Sequence, residues 1–496
     1  MKKVLFLLLS VIITAGCAAS EGAEPEKDKV NIPVGSRTLR LEAEELRLEK
    51  ELHPEGIASL YKDTVYKLDA GAADVTITVR ELNNGDEFVM LRLDGNGKVK
   101  GTLSIPEADD YYLVDWTKNI PEREPGADTT KPPVGLLRFT QNHQFVNEIV
   151  LSHTFVSKTL TELYGRGRIS ALQELIAETN RAELSKNSLS LELAAGRGQR
   201  AEQWFLAAEK PLFDDTDHLN EWITFQQEQE AEVNNWFTVD GPLKKLAGVE
   251  PVAQNSYGYE LSTMIESEAI SRFIKNKDRY FYNLTVQSAA NLWTYRQSRN
   301  DVVWKTEVTS TALKSKYGIT APYVDMRDNE RIARYLHQIG EELSAPELSG
   351  VLASYSDYLL NLISIGNVVP AEKGYYPADY YSSQQKKAML SSSLDQALSE
   401  ASLLLAAYRE TGEKKYLEAA QNIRAALKST GEKWIRPNGN VWHRIHWDGT
   451  FTGEGDDLKV LQSLRHRAKS WKELGGSPSP VLQKLIESKE QYLNSK

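Results

Sequence analysis

Residues 391–427 constrain the fold more than any other stretch of this chain. Leu394, Ala397, Leu398, Ala401, Leu405 and Tyr408 recur at helical spacing and give one apolar face. Ser392 with Asp395 three residues on fits a capping box at the start of that helix. Gly412 stands where the helix must end in a left-handed residue, a conformation glycine takes without steric cost. Tyr416, Ala420, Ile423 and Leu427 then mark one face of a second helix. The hairpin cannot bury both of its apolar faces alone, so it needs neighbours of the same kind.

Such neighbours are legible. Leu261, Met264, Ile265, Ala269 and Phe273 make a helical face, 276–279 a polar turn, and Phe281, Leu284, Ser288 and Leu292 a second face. Tyr280 stands where Tyr416 stands, which reads as a divergent internal repeat. Ile332, Tyr335, Leu336 and Ile339 begin another helix, Leu352, Tyr355, Leu359 and Leu362 the next, and Leu461, Leu464, Ala468 and Trp471 one more, with a last over 480–492. Helices are also expected over 168–185, 200–209 and 215–236. Irregular hairpin lengths and long aromatic-rich loops favour a ring of hairpins over a superhelical solenoid.

Before this region the period changes to two. Val75, Ile77 and Val79 alternate with Thr76, Thr78 and Arg80, and 88–93, 99–105 and 111–116 are further strands. Asn83-Asn84-Gly85-Asp86 and Asp94-Gly95-Asn96-Gly97 supply hairpin turns. The fold class expected is therefore α+β: an antiparallel β-sandwich-like domain over 37–159, followed by helical hairpins over 160–496. A chain of 496 residues, 41% hydrophobic and 26% charged, has the ordinary balance of a multidomain globular protein. A net charge of -10 without basic runs argues against nucleic acid as a partner.

Lys2 and Lys3, an apolar run over 4–15 and Thr14-Ala15-Gly16-Cys17 resemble a bacterial lipoprotein signal peptide. That resemblance implies cleavage after residue 16, lipidation of Cys17 and an extracytoplasmic chain anchored to the membrane by its acyl chains. Loss of Lys2 and Lys3 takes the net charge from -10 to -12. Residues 17–36 read as a flexible tether. Cys17 is the one cysteine, so no intramolecular disulfide forms.

The sequence over 404–420 resembles the helical repeat of α/α-toroid carbohydrate-active enzymes. Residues 375–471 resemble most the C-terminal domain of D-glucuronyl C5-epimerases, through the tyrosine-rich 374–381, the hairpin and the His/Trp-rich 442–448. The resemblance implies a toroid that acts on a polysaccharide, a uronate-containing one in the epimerase case. In the β region, 41–44 and 104–114 resemble strands of carbohydrate-binding sandwich modules. The alternative there is a β cap on the helical part.

Epimerising a uronate requires a base and an acid on opposite faces of C5, and a cation to neutralise the carboxylate. Tyr376, Tyr380, Tyr381, His443 and His446 are the catalytic candidates. Asp325, Arg327, Asp379, Arg436, Arg444, Trp447 and Asp456 are the substrate-binding candidates. A lyase uses the same base; a glycoside hydrolase needs two carboxylates, for which Asp325, Asp379, Asp448 and Asp456 are available. A lipoprotein that binds glycan or assists envelope assembly without chemistry is the rival of another class. No cofactor and no metal is expected; His443 and His446 lack an evident third ligand. Asp325, Asp328 and Glu330 also suit a simple capping role at the helix that follows.

Overall fold

The computed structural model describes residues 28–122, 124, 126–229, 234–453, 457–473 and 479–495. The signal peptide, Cys17 and Asp456 lie outside them. The fold is α+β. Two large antiparallel sheets and a helical region make three layers, with four small sheets of two or three strands among the loops.

The smaller sheet has five strands, in the spatial order Asp28–Val34, Arg37–Ala43, Gly97–Ser104, Ser188–Ala195 and Glu183–Ser185. Residues 28–34, expected within the tether, are thus its first strand. Val30, Ile32 and Val34 alternate with the exposed Lys29, Asn31 and Pro33, and Ile32 and Val34 are fully buried, which fixes the strand's face.

The larger sheet has thirteen strands. It runs from the edge strand Arg47–Leu52 through Tyr61–Asp69, Ala73–Leu82 and Glu87–Gly95 to Arg200–Ala208. There it divides. One branch continues through Thr154–Tyr164 and Arg168–Thr179 to three short strands over 237–259; the other passes through Gln144–Leu151 and Gly135–Gln141 to Asp110–Asp115. The strands expected over 75–80 and 88–93 fall inside observed ones, and those expected over 99–105 and 111–116 overrun theirs by one residue.

The helices expected over 168–185 and 200–209 are strands, so the sheet runs past the boundary placed at 159. Both faces of the larger sheet are buried. Val89, Leu91, Leu93, Phe205 and Ala207 pack on the smaller sheet, while Phe88, Met90, Trp204, Leu206 and Ala208 pack on helices. A strand buried on both faces reads as one apolar run, which periodicity cannot tell from a buried helix.

The helices are α1 (Thr216–Glu228), α2 (Ser267–Asn276), α3 (Arg279–Ser298), α4 (Thr311–Tyr317), α5 (Met326–Glu342), α6 (Val351–Ser364), α7 (Leu394–Thr411), α8 (Lys414–Thr430), α9 (Asp457–Glu473) and α10 (Pro480–Asn494). The helix expected over 215–236 is shorter, ending at Glu228. Hairpins α2–α3, α5–α6, α7–α8 and α9–α10 pack in sequence, with α3, α5, α7 and α9 in one row and α6, α8 and α10 in another. Gly412 ends α7 with φ +74°, as its place in the sequence requires. The capping box is not formed: Ser392 lies in a strand, and the N-cap Ser393 makes no side-chain cap bond.

Candidate active site

The loops that enter α5 and α7 come together through short strand pairs. Val324–Asp325 pairs with Tyr380–Tyr381, and Ser391–Ser393 pairs with Arg444–His446. These pairs set the starts of α5 and α7 beside each other, under Tyr380, His443 and Arg444.

Asp325 is the N-cap of α5. Its Oδ1 accepts from the backbone N–H of Arg327 at 2.9 Å and of Asp328 at 3.3 Å. The residue is half-buried. Burial and the charges of Asp328 and Asp379 push it well above the usual carboxylate range. Asp328 is pushed up as well, by burial and Glu260 against the opposing Arg331 and Arg327.

Asp395 lies in the first turn of α7. The Arg327 guanidinium donates to its Oδ2 at 2.8 Å. Burial raises the pKa of Asp395, but the Arg327 guanidinium and its hydrogen bond outweigh that and hold it below the usual range. Arg327 therefore reaches both carboxyls, one through its backbone and one through its side chain. Two carboxyls with pKa values pushed apart are the signature of an acid and its ionised partner.

Asp379 is nearly enclosed. Its carboxylate accepts from Ser393 N at 2.7 Å and Ser393 Oγ at 2.8 Å, and pairs with Arg444 Nε at 2.9 Å. Arg444 also donates to Tyr317 Oη at 2.6 Å. The Tyr380 ring lies 6.2 Å from those of both Tyr317 and Tyr323. Burial and the charges of Asp325 and Asp379 keep Tyr380 protonated. Burial lowers the pKa of His443, which stays neutral at pH 7 although Asp395 opposes the shift.

The structure thus gathers Asp325, Arg327, Asp379, Tyr380, His443 and Arg444. His446 is on the same strand; burial lowers its pKa, and its Nε2 lies 2.6 Å from Thr452 Oγ1. Tyr376 is not in the group. It is 1% exposed in the core of α5–α8, and its hydroxyl accepts from Trp434 Nε1 at 3.0 Å, so it cannot act as a base. Tyr381 and Trp447 pack against that same core, and Arg436 lies over the Trp442 ring at 4.5 Å. Asp395, Tyr317 and Ser393 join the site without being among the candidates read from the sequence. For Asp395 the signal was present: an acid in the first turn of the most legible helix, read there as a cap.

No family model matches the chain, and no curated protein matches it in sequence. Among solved structures it is similar to an unsaturated glucuronyl hydrolase from Streptococcus agalactiae, at 14% identity and a TM-score of 0.33 over 50% of this chain and 56% of that one. It is similar to a family 76 glycoside hydrolase from a bovine Bacteroides thetaiotaomicron strain at 14% identity and a TM-score of 0.36, over 73% and 75% of the two chains. It is also similar to a cellobiose 2-epimerase from Spirochaeta thermophila at 11% identity and a TM-score of 0.33, over 56% and 71%. The chain spans less than two thirds of the glucuronyl hydrolase. Likenesses of this size establish neither a shared fold nor a shared activity.

Proposed function

We propose that this chain is a carbohydrate-active enzyme that hydrolyses a glycosidic bond in a polysaccharide, with Asp325 as acid and Asp395 as its ionised partner. One observation carries the reading. The adjoining starts of α5 and α7 bring together a carboxyl whose pKa is raised, Asp325, and one whose pKa is lowered, Asp395, and Arg327 is hydrogen-bonded to both. Asp325 gives its proton to the leaving oxygen as the bond to the anomeric carbon breaks. Asp395 takes a proton from the attacking water, or attacks the anomeric carbon itself, on the other side. Tyr380, half-buried over the buried Tyr317 and Tyr323, offers its ring and hydroxyl to a sugar. The hairpin motif of 404–420 supports the same substrate class by its resemblance to α/α-toroid enzymes, and a toroid is the arrangement we propose for the helical part.

The second reading is uronate C5-epimerisation, or the lyase reaction that shares its base. A neutral His443 and a protonated Tyr380 near Arg444 favour it. Arg327 and Arg444, however, are each already paired to a carboxylate, Asp395 and Asp379, which weighs against their neutralising a uronate. A panel of polysaccharides in deuterated water, followed by proton NMR, separates the readings. Hydrolysis gives new reducing ends. Unsaturated ends would point to a lyase, and deuterium at C5 without cleavage to an epimerase.

We also propose a lipid anchor on Cys17 and an extracytoplasmic site of action, supported by the charged, apolar and small-residue order of 2–17. No helix among the described residues is long and apolar enough to cross a membrane. Metabolic labelling with palmitate tests the anchor: Cys17→Ser loses the label and leaves the membrane fraction. Retention of both overturns it.

A further inference from the structure

Asp379 was expected to contact substrate. Its bonds describe another task. Its backbone N–H donates to Ser391 O at 2.9 Å, and its carbonyl accepts from Met326 N, the first residue of α5, at 3.0 Å. Its carboxylate accepts from Ser393 N and Oγ at the start of α7, and pairs with Arg444 on the strand beside it. One residue therefore ties together the three segments that carry Asp325, Asp395 and Arg444. It is 5% exposed, and both of its carboxylate oxygens are engaged.

We propose that Asp379 is a positioning residue, which fixes the start of α5 against the start of α7 and places a negative charge behind Asp325, without itself touching substrate. The inference rests on the hydrolase reading for its catalytic meaning, and on geometry alone for its structural one. Asp325 is faced by Asp328 and Arg327 from α5, Tyr323 from the strand before it, Tyr355 from α6, and Asp379 and Tyr380 from the paired loop. Of these, Asp328 and Asp379 disfavour ionisation of Asp325, and Asp379 is the one that also bridges the helices. A fixed like charge keeps the acid protonated at the pH where its partner is ionised.

The test uses the full chain, isotope-labelled at the aspartate carboxyl carbons, with the Asp325 signal assigned by its loss in Asp325→Asn. Asp379→Asn keeps an oxygen for the Ser393 donors and removes the charge. The Asp325 titration midpoint then falls by about one pH unit. On a polysaccharide that the wild type cleaves, kcat at pH 7 falls about ten-fold with KM unchanged. A folded variant whose Asp325 midpoint stays in place overturns the proposal. So does a raised KM with kcat unchanged, since that is the mark of a substrate contact. Asp379→Glu keeps the charge and lengthens the side chain by one methylene. The proposal expects a lower kcat with KM and midpoint kept, and a wild-type kcat there counts against positioning. If no polysaccharide is cleaved, the hydrolase reading falls, while the NMR midpoint still decides what Asp379 does to Asp325.

Discussion

Glu400 and Tyr376 show how the surroundings of a single side chain decide its role. Glu400 is fully buried between α5, α6 and α7, where its Oε1 lies 2.7 Å from Tyr355 Oη and 2.9 Å from Gln396 Nε2. Burial and the Glu330 charge push its carboxyl up to about 8 from an ordinary 4.5. Between those values the folded chain holds a proton that the unfolded chain has released, so this group's contribution to stability falls as pH rises through that window. Glu400→Gln removes the dependence. Its melting temperature therefore gains on the wild type between pH 5 and pH 8.5, whereas a constant offset would contradict a buried neutral acid. Tyr376→Phe leaves the buried Trp434 N–H without an acceptor, at a cost of about 1–3 kcal/mol, and leaves kcat unchanged. The sequence showed Tyr376 as one of four tyrosines in a loop. It could not show that the pairing of Tyr375–Pro377 with Val368–Pro370 buries this one in the core. Asp325 is legible both as an acid and as a cap, and the cap is formed. Asp395 was visible only as a cap, because its meeting with Arg327 spans 68 residues of sequence.

At the scale of elements, legibility followed period and turn signals. The hairpin α7–α8 and the strands over 73–95 have a clear period or clear turns, and both were found. The strand Arg200–Ala208 was not, because Trp204 and Phe205 are buried on opposite faces and no polar alternation remains. Glycines punctuate the helical part in two ways, which substitution separates. At Gly412 an added Cβ meets nothing within 4 Å, so Gly412→Ala costs only the left-handed conformation, about 1–2 kcal/mol. At Gly374, with φ +78°, the same atom would stand 2.0 Å from Asn422 O on α8. Gly374→Ala therefore lowers the urea midpoint more than Gly412→Ala does; equal losses would show that the loop does not press on the helix as described. The exposed edge strand Arg47–Leu52 carries Arg47, Glu49, Lys50 and Glu51, and its charges discourage pairing with another chain.

Across the whole molecule, the larger sheet joins the two other layers. Its helix-facing side carries a buried ion pair, with Arg80 Nε and Nη2 donating to Asp63 at 2.8 and 2.7 Å and Arg80 Nη1 to Gln287 on α3 at 3.1 Å. Arg80→Ala leaves the Asp63 carboxylate buried and unpaired, which costs about 3–5 kcal/mol. The double replacement Arg80→Met with Asp63→Leu recovers most of that loss, and equal urea midpoints for the single and double variants would contradict the account. No periodicity in the sequence announces this junction, since its partners are 207 positions apart. The same layering holds the hairpins that present Asp325 and Asp395 from neighbouring helix starts. The most direct test of that pair is the initial rate of new reducing ends on the polysaccharide panel for wild type, Asp325→Asn and Asp395→Asn. The account predicts that each variant loses about a thousand-fold while melting as the wild type does. A wild-type rate in either variant would contradict it.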